Sequence, residues 1–353
     1  MVTLSIAMVC GSGPDVQLCA ARAAGGPKDD KGRGAVTATV EKAGALGTFE
    51  HDALFYANDD EYVAGVVGFV REGLQHDEPV LVAVPGWNLE LLREALSPDE
   101  MPRVRLRDMT VAGRNPGRII GTVLSAFVRE HADRRVRIVG EQIWAGRTDE
   151  EYPACAEHEA LINVALGESP AYIQCPYDTT KLPTSVLTDA TRTHPTLASP
   201  SDRWMSPTYT DPGAVAASFD VPLSQAPSDA EFVVIGPDTG ARSARVLVHD
   251  AGRMHGMDDD RLTDVRLVAQ ELAVNTLTHS PNGRGVLEVW AADDHLVLQA
   301  QDGGRITDRL VGRRAPEPPH VGHGLFVVHQ LADLVRIHRE STGTTVRVYF
   351  RLP

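Results

Sequence analysis

Residues 271–280 read ELAVNTLTHS and place a carboxylate, Glu271, four positions before an amide, Asn275. At that spacing both side chains stand on one face of a helix, where such an oxygen pair can hold a hydrated magnesium ion beside a phosphate. The pair alone is weak, because Glu159 and Asn163 repeat the spacing earlier in the chain. What sets the later pair apart is its sequel, QDGGRI at 301–306 and VGHGLFVV at 321–328. Asp302, ending a strand just before glycines, can accept a hydrogen bond from an adenine amino group, while Gly304 lets the backbone turn close to the ring. Gly322 and Gly324, at a helix start, leave backbone N–H groups free for phosphate, which the helix dipole also favours.

A second group of polar residues sits earlier. Asp108, Glu141 and Asp178 fall at the carboxyl ends of expected parallel strands, the edge that forms the ligand crevice of doubly wound sheets. Trp144 and Tyr177 lie close by in sequence and could add stacking. The plainer account is that strand-end acids cap the helices that follow. The four cysteines, Cys10, Cys19, Cys155 and Cys175, show no C-x-x-C spacing and no histidine cluster in the sequence. Neither a zinc site nor a disulfide framework is therefore expected, and a reducing cytoplasm fits.

The elements that must position these residues divide into two sets. From about residue 48, β-rich runs at 79–85, 103–108, 136–141 and 171–178 alternate with helical patterns at 61–74, 115–132 and 150–166, the pattern of a parallel sheet with crossover helices. Six prolines between Pro195 and Pro227 then discourage regular structure and mark a linker. Beyond it come helices at about 241–255 and 260–279, strands GVLEVWAAD and HLVLQAQD, a Gly- and Pro-rich loop, the helix GHGLFVVHQLAD and two final strands. Helices followed by consecutive antiparallel strands predict an α/β sandwich. In the helix 260–279, Leu262, Val265, Val268, Ala269 and Leu272 form the apolar arc, with Glu271 and Asn275 at its edge.

With 353 residues and 42% hydrophobic composition the chain can bury two ordinary cores. The expected division is a disordered leader over 1–46, a first domain over 48–200, a linker over 201–227 and a second domain over 228–353. The formal net charge of −14 argues against a nucleic-acid surface. The opening MVTLSIAMVCGSG lacks a basic start and is too short to span a bilayer, so it is read as a tail and no membrane association is expected.

The order of boxes resembles the GHKL, or Bergerat-fold, ATPases shared by histidine kinases, gyrase and the anti-sigma serine kinases, over about residues 228–353. Within that superfamily the short layout and ELAVNTLTHS look most like the RsbW-type anti-sigma kinases. By that resemblance Glu271 is the general base toward a target serine, Asn275 the Mg2+ ligand, and 305–320 the ATP lid. Ile306, His323, Leu325 and Thr344 join Asp302, Gly304, Gly322 and Gly324 as nucleotide contacts. The family's first glycine box often ends in a further small residue, which Arg305 and Ile306 do not supply, so lid geometry stays open. Arg313, Arg314 and His320 in the lid could meet the γ-phosphate or be solvated charges.

The stretch HDALFYANDDEYVAGVVGFVREGLQHDEPVLVAVP, with GEQIWAGR, HEALINVAL and CPYDTTKLP, resembles the MEDS sensory domain, a RecA-like parallel sheet, over about 48–200. No G-x-x-x-x-G-K-[ST] is present, so that resemblance brings no second, P-loop ATP site. His51, Tyr56, Glu141, Trp144, His158, Glu159, Asn163 and Asp178 are the positions it nominates for a pocket taking a small-molecule ligand. MEDS ahead of an RsbW-type ATPase matches the arrangement of RsbA-family anti-sigma regulators. The resemblance implies a cytoplasmic ATP-dependent protein serine/threonine kinase whose partners are a sigma factor and a STAS-type anti-anti-sigma protein. Domains of this type commonly pair as homodimers, and oligomeric state stays open. The alternatives are a nucleotide-gated binding module without kinase activity, or an atypical sensor histidine kinase, for which no phosphoacceptor helix pair precedes the second domain.

Overall fold

The computed structural model describes residues 48–315 and 324–353. The leader expected over 1–46 lies outside them. The first set of elements runs β1 (Glu50–Tyr56), α1 (Asp59–Gln75), β2 (Val80–Val84), α2 (Gly86–Ala95), β3 (Val104–Asp108), α3 (Met109–Ala112), α4 (116–130), β4 (Val136–Gly140), α5 (Tyr152–Leu166), β5 (Ala171–Asp178), α6 (Thr184–Thr193), β6 (Thr196–Ala198) and β7 (Arg203–Met205). Their strands form one sheet in the order β3-β2-β4-β5-β1-β6-β7, parallel except for the β6–β7 pair. β2, β4 and β5 are buried at every position, as strands covered by helices on both faces must be.

Local chemistry fixes the helix starts. Asn58 caps α1 by accepting from the Glu61 amide, and Asp59, Asp60 and Glu61 place negative charge at the positive end of the helix. α4 carries a π segment at Ile120–Leu124 between its α-helical turns. Pi segments of this kind often occur at functional positions.

Residues 201–227, read above as a linker, carry β7 and a short helix, α7 (Pro212–Ser218), that packs on α5. Pro212 stands in the first turn, where the missing N–H costs nothing, and Asp211 caps the helix. Proline therefore starts structure here rather than preventing it.

The second set is β8 (Glu231–Ile235), α8 (Gly240–Met254), α9 (Asp259–His279), β9 (Gly285–Ala292), β10 (His295–Asp302), α10 (Gly324–Leu331), β11 (Leu334–Arg339) and β12 (Thr344–Arg351). It forms an antiparallel sheet in the order β11-β12-β10-β9-β8, with helices on one face, so the mixed architecture of a parallel-rich sheet plus an α/β sandwich is as expected. The predicted arc of α9 is buried: Leu262, Val265, Val268, Ala269 and Leu272 join one core with Val289, Leu298 and Val348. β8 is a mostly exposed edge strand that the sequence pattern did not announce.

α5 is unusual in having no wet face through its middle, for every residue from Ala154 to Ile162 is buried. On one side it packs on its own sheet. On the other, Ala154 meets Val297, Leu334 and Tyr349 of the second sheet. Among the described residues, no helix is long and apolar enough to cross a membrane.

Candidate functional site

α9, β10 and β12 enclose a cavity of about 480 Å3, lined in part by Asn275, Asp302, Gly304, Ile306, Leu325 and Thr344. That volume lies within the roughly 300–1,000 Å3 usual for small-molecule sites. Capping by Asp258 starts α9 and sets the phase that turns Asn275 toward the cavity. Asp302 ends β10, where Thr276 donates to one carboxylate oxygen at 2.6 Å and the Gly304 amide to the other at 2.7 Å. A carboxylate has about four lone-pair sites, so Asp302 keeps acceptor capacity toward the cavity. Thr344 donates to the Gly304 carbonyl at 2.8 Å and so pins the turn from the neighbouring strand.

Two glycines are required by space. A Cβ on Gly304 would sit 2.8 Å from the Asp302 carboxylate and 3.0 Å from the His279 carbonyl. A Cβ on Gly324 would sit 2.9 Å from Glu271 Oε2 and 3.0 Å from Asn275 Oδ1. Gly324, the first residue of α10, thus brings Glu271 and Asn275 together against a bare backbone. Gly322 and His323 lie outside the described residues, as does His320. Thr276, which the sequence reading passed over, is nearly as central as Asn275, and its position beside Asn275 was the available signal.

The lid arginines are engaged elsewhere. Arg313 is 2% exposed and pairs with Glu157 of α5, while Arg309 reaches the same carboxylate at 3.1 Å. Arg314 donates to the Val164 carbonyl at 3.2 Å. Arg313 is therefore not a solvated charge.

The eight positions nominated in the first sheet separate into groups. Tyr56, Glu141 and Asp178 gather at the carboxyl edge together with Tyr62 and Asn88. Asn88 donates to Glu141 at 2.8 Å and Tyr62 at 3.3 Å. Burial nonetheless pushes Glu141 up to about 8. Asp108 caps α3 by accepting from the Thr110 amide, whereas Asp178 accepts from the Thr180 and Lys181 amides and so closes the turn that follows β5. Trp144 stacks under the Arg147 guanidinium at 3.9 Å. His158 is buried on α5, where burial and the Arg313 charge hold its pKa well below the ordinary value.

His51, Glu159 and Asn163 form a different group, deep between β1, α5 and β5. His51 Nδ1 lies 3.1 Å from Asn163 Oδ1, and His51 Nε2 lies 3.7 Å from Glu159 Oε2. Cys175 and His194 join them, with Cys175 Sγ 3.4 Å from His51 Nε2 and His194 Nε2 3.5 Å from Glu159 Oε2. The expectation that no histidine partners a cysteine is corrected here: the fold, not the spacing, assembles the cluster. Burial draws His51 down to about 3 and His194 to about 4, and lifts Glu159 to about 7.

Residues 50–195 match the family described as MEDS, the methanogen/methylotroph, DcmR sensory domain, and residues 237–350 match the histidine kinase-like ATPase domain. Among solved structures, the RsbU and RsbW domains of Rv1364c from Mycobacterium tuberculosis are similar over 36% of this chain and 34% of that one, at 19% identity and a TM-score of 0.28. The chain thus spans about a third of that protein's chain, and a TM-score so low supports no inference. No curated protein matches the chain. The chain therefore joins a segment similar to the MEDS sensory domain to a segment similar to the histidine kinase-like ATPase domain, in that order.

Proposed function

We propose that the chain is a signal-responsive anti-sigma regulator of the RsbA type, whose second segment binds Mg-ATP and phosphorylates a serine of a STAS-type anti-anti-sigma protein. The observation that carries this reading is the convergence of Asn275, Asp302, Gly304, Leu325 and Thr344 on one cavity, with Glu271 set against Gly324 beside it. Asp302 would read the adenine amino group with its spare acceptor sites. Asn275 would hold the metal and Gly324 admit the phosphates where any side chain would collide. Magnesium, when bound, neutralises charge on the phosphate oxygens. Glu271 would take the proton from the serine hydroxyl as that oxygen attacks the γ-phosphorus, the bond to the bridging oxygen breaks and ADP leaves.

The domain division proposed with this function is a leader over 1–46, a sensory domain over 48–200, a linker over 201–227 and an ATPase domain over 228–353. The proposed setting is cytoplasmic, with a small-molecule ligand at the sensory domain and a sigma factor as the second partner. A nucleotide-gated binding module without transfer chemistry is favoured by one observation, the commitment of Arg313 to Glu157 rather than to the cavity.

Incubation with Mg-ATP and candidate STAS proteins, read by mass spectrometry of phosphoserine, separates the two. The kinase reading expects transfer by the wild-type chain and none by Glu271→Gln, with ATP binding retained. Absence of phosphoserine with sigma-factor binding intact rejects the kinase, and full transfer by Glu271→Gln removes Glu271 from the base role.

A further inference from the structure

His51 on β1, Glu159 on α5, Cys175 on β5 and His194 at the end of α6 bring four ligand atoms within 4.8 Å of one another. All four residues are at most 1% exposed. Nothing in the nucleotide chemistry uses them, and each comes from a different element.

The orientation of the imidazoles points inward. His194 Nδ1 lies 2.9 Å from the Ala190 carbonyl, which can only accept, so Nδ1 carries the proton and Nε2 presents a lone pair. Asn163 donates through Nδ2 to the Thr193 carbonyl at 2.8 Å, which leaves its Oδ1 facing His51 Nδ1. His51 Nδ1 is then also the donor, and its Nε2 is also a lone pair. Holding the outer ring nitrogen with a carbonyl-type acceptor is the arrangement that orients metal-ligating histidines.

Two neutral nitrogens therefore converge with a thiol sulfur and a carboxylate oxygen. Protons alone leave this group poorly satisfied, since His194 Nε2 is buried without a hydrogen-bond partner and the buried Glu159 carboxylate has only the Cys175 thiol and the Tyr177 hydroxyl to donate to it. Unpaired buried polar atoms are costly and ask for an explanation. A cation at the centre supplies one.

The distances select its kind. Zinc bonds of about 2.0–2.3 Å to nitrogen, oxygen and sulfur place tetrahedral ligand atoms about 3.3–3.6 Å apart. Three of the six separations are 3.4, 3.5 and 3.7 Å, close to that range, and all six lie within 4.8 Å. Charge selects it as well, because one thiolate and one carboxylate cancel a divalent ion, and a buried site tolerates no net charge cheaply. Mixed nitrogen, oxygen and sulfur donors in a tetrahedron suit zinc.

We propose that His51, Glu159, Cys175 and His194 form a closed four-coordinate site for a divalent zinc-class ion, held by Asn163 and the end of α6, that clamps α5 to the first sheet. With all four positions filled by protein, the site is structural in kind, with no open position for a substrate.

The test uses the full chain. After purification and dialysis, elemental analysis is expected to find one zinc per chain. The metal-stripped chain titrated with Co2+ is expected to develop the thiolate-to-cobalt charge-transfer band and the intense visible bands of a tetrahedral site. Cys175→Ser should lose the charge-transfer band. Asn163→Ala, which touches no metal, should weaken binding about 10- to 100-fold. A folded wild-type chain that takes up no metal, or binds Co2+ without the thiolate band, overturns the proposal. Should Cys175→Ser fail to fold, the wild-type Co2+ spectrum still decides.

Discussion

Arg313, in the loop that follows β10, is buried against Glu157 of α5, so the loop beside the cavity proposed for nucleotide is anchored to the MEDS-like segment by an ion pair. Glu157 also receives Arg309 at 3.1 Å and lies 3.6 Å from Arg339. Removing its carboxylate would leave the buried Arg313 without an acid partner, while Arg309 and Arg339 keep Asp220 at 3.1 Å, and stranding a buried charge costs about 3–5 kcal/mol. Glu157→Ala should therefore lower unfolding stability by that order and release the loop, read as faster nucleotide exchange. Unchanged denaturation and exchange would refute the anchor.

Asp302 is the most exacting test of the cavity. Asp302→Ala would remove the proposed adenine acceptor and also strand the Thr276 hydroxyl and the Gly304 amide. ATP affinity should fall about 10- to 100-fold, equivalent to roughly 1.4–2.7 kcal/mol. Calorimetric titration with ATP measures it, and wild-type affinity would place the adenine elsewhere.

Gly117 reports on the contact between the segments. A Cβ there would lie 2.0 Å from His329 Nδ1, and the Asn115 side chain donates to the His329 carbonyl at 2.9 Å. Gly117→Ala should destabilise by about 1–3 kcal/mol through overpacking. Gly68→Ala on α1, where nothing lies within 4 Å, should instead be neutral or gain about 0.4–1 kcal/mol. Equal melting temperatures for the two variants would deny the close packing.

Glu141 should make stability depend on pH. Its carboxyl titrates from an ordinary 4.5 to about 8 in the fold, raised by burial. The folded state keeps a proton that the unfolded chain releases in that window, so the contribution is fully present below 4.5 and is lost as pH rises through about 8. Glu141→Gln has no proton to lose. Its melting temperature should therefore rise relative to wild type as pH is raised across the window, whereas a constant difference would contradict the shift.

The residues that line the cavity beside α9 were legible because they carry local marks: a capped amphipathic helix, an aspartate ending a strand, a glycine at a helix start. The apolar arc of α9 predicted its buried face residue by residue. The cluster around Cys175 carried no such mark. His51 and Cys175 are 124 residues apart, and only strand pairing of β1 with β5 makes them neighbours. The Glu159 and Asn163 pair, which served as the control for Glu271 and Asn275, turns out to have its own partner in His51. Arg313 was missed for a similar reason, because its carboxylate stands 156 residues earlier. Sequence spacing sees the charges of a loop but not what a distant helix offers them.

Glu157 and Glu159 stand two residues apart on α5, hence about 200° apart around its axis. One grips the loop of the ATPase segment and the other faces the buried cluster of the first sheet. A rod enclosed along nine consecutive residues has no slack side to absorb motion. It joins the two sockets as one body, so a displacement at either carboxylate would have to be taken up at the other.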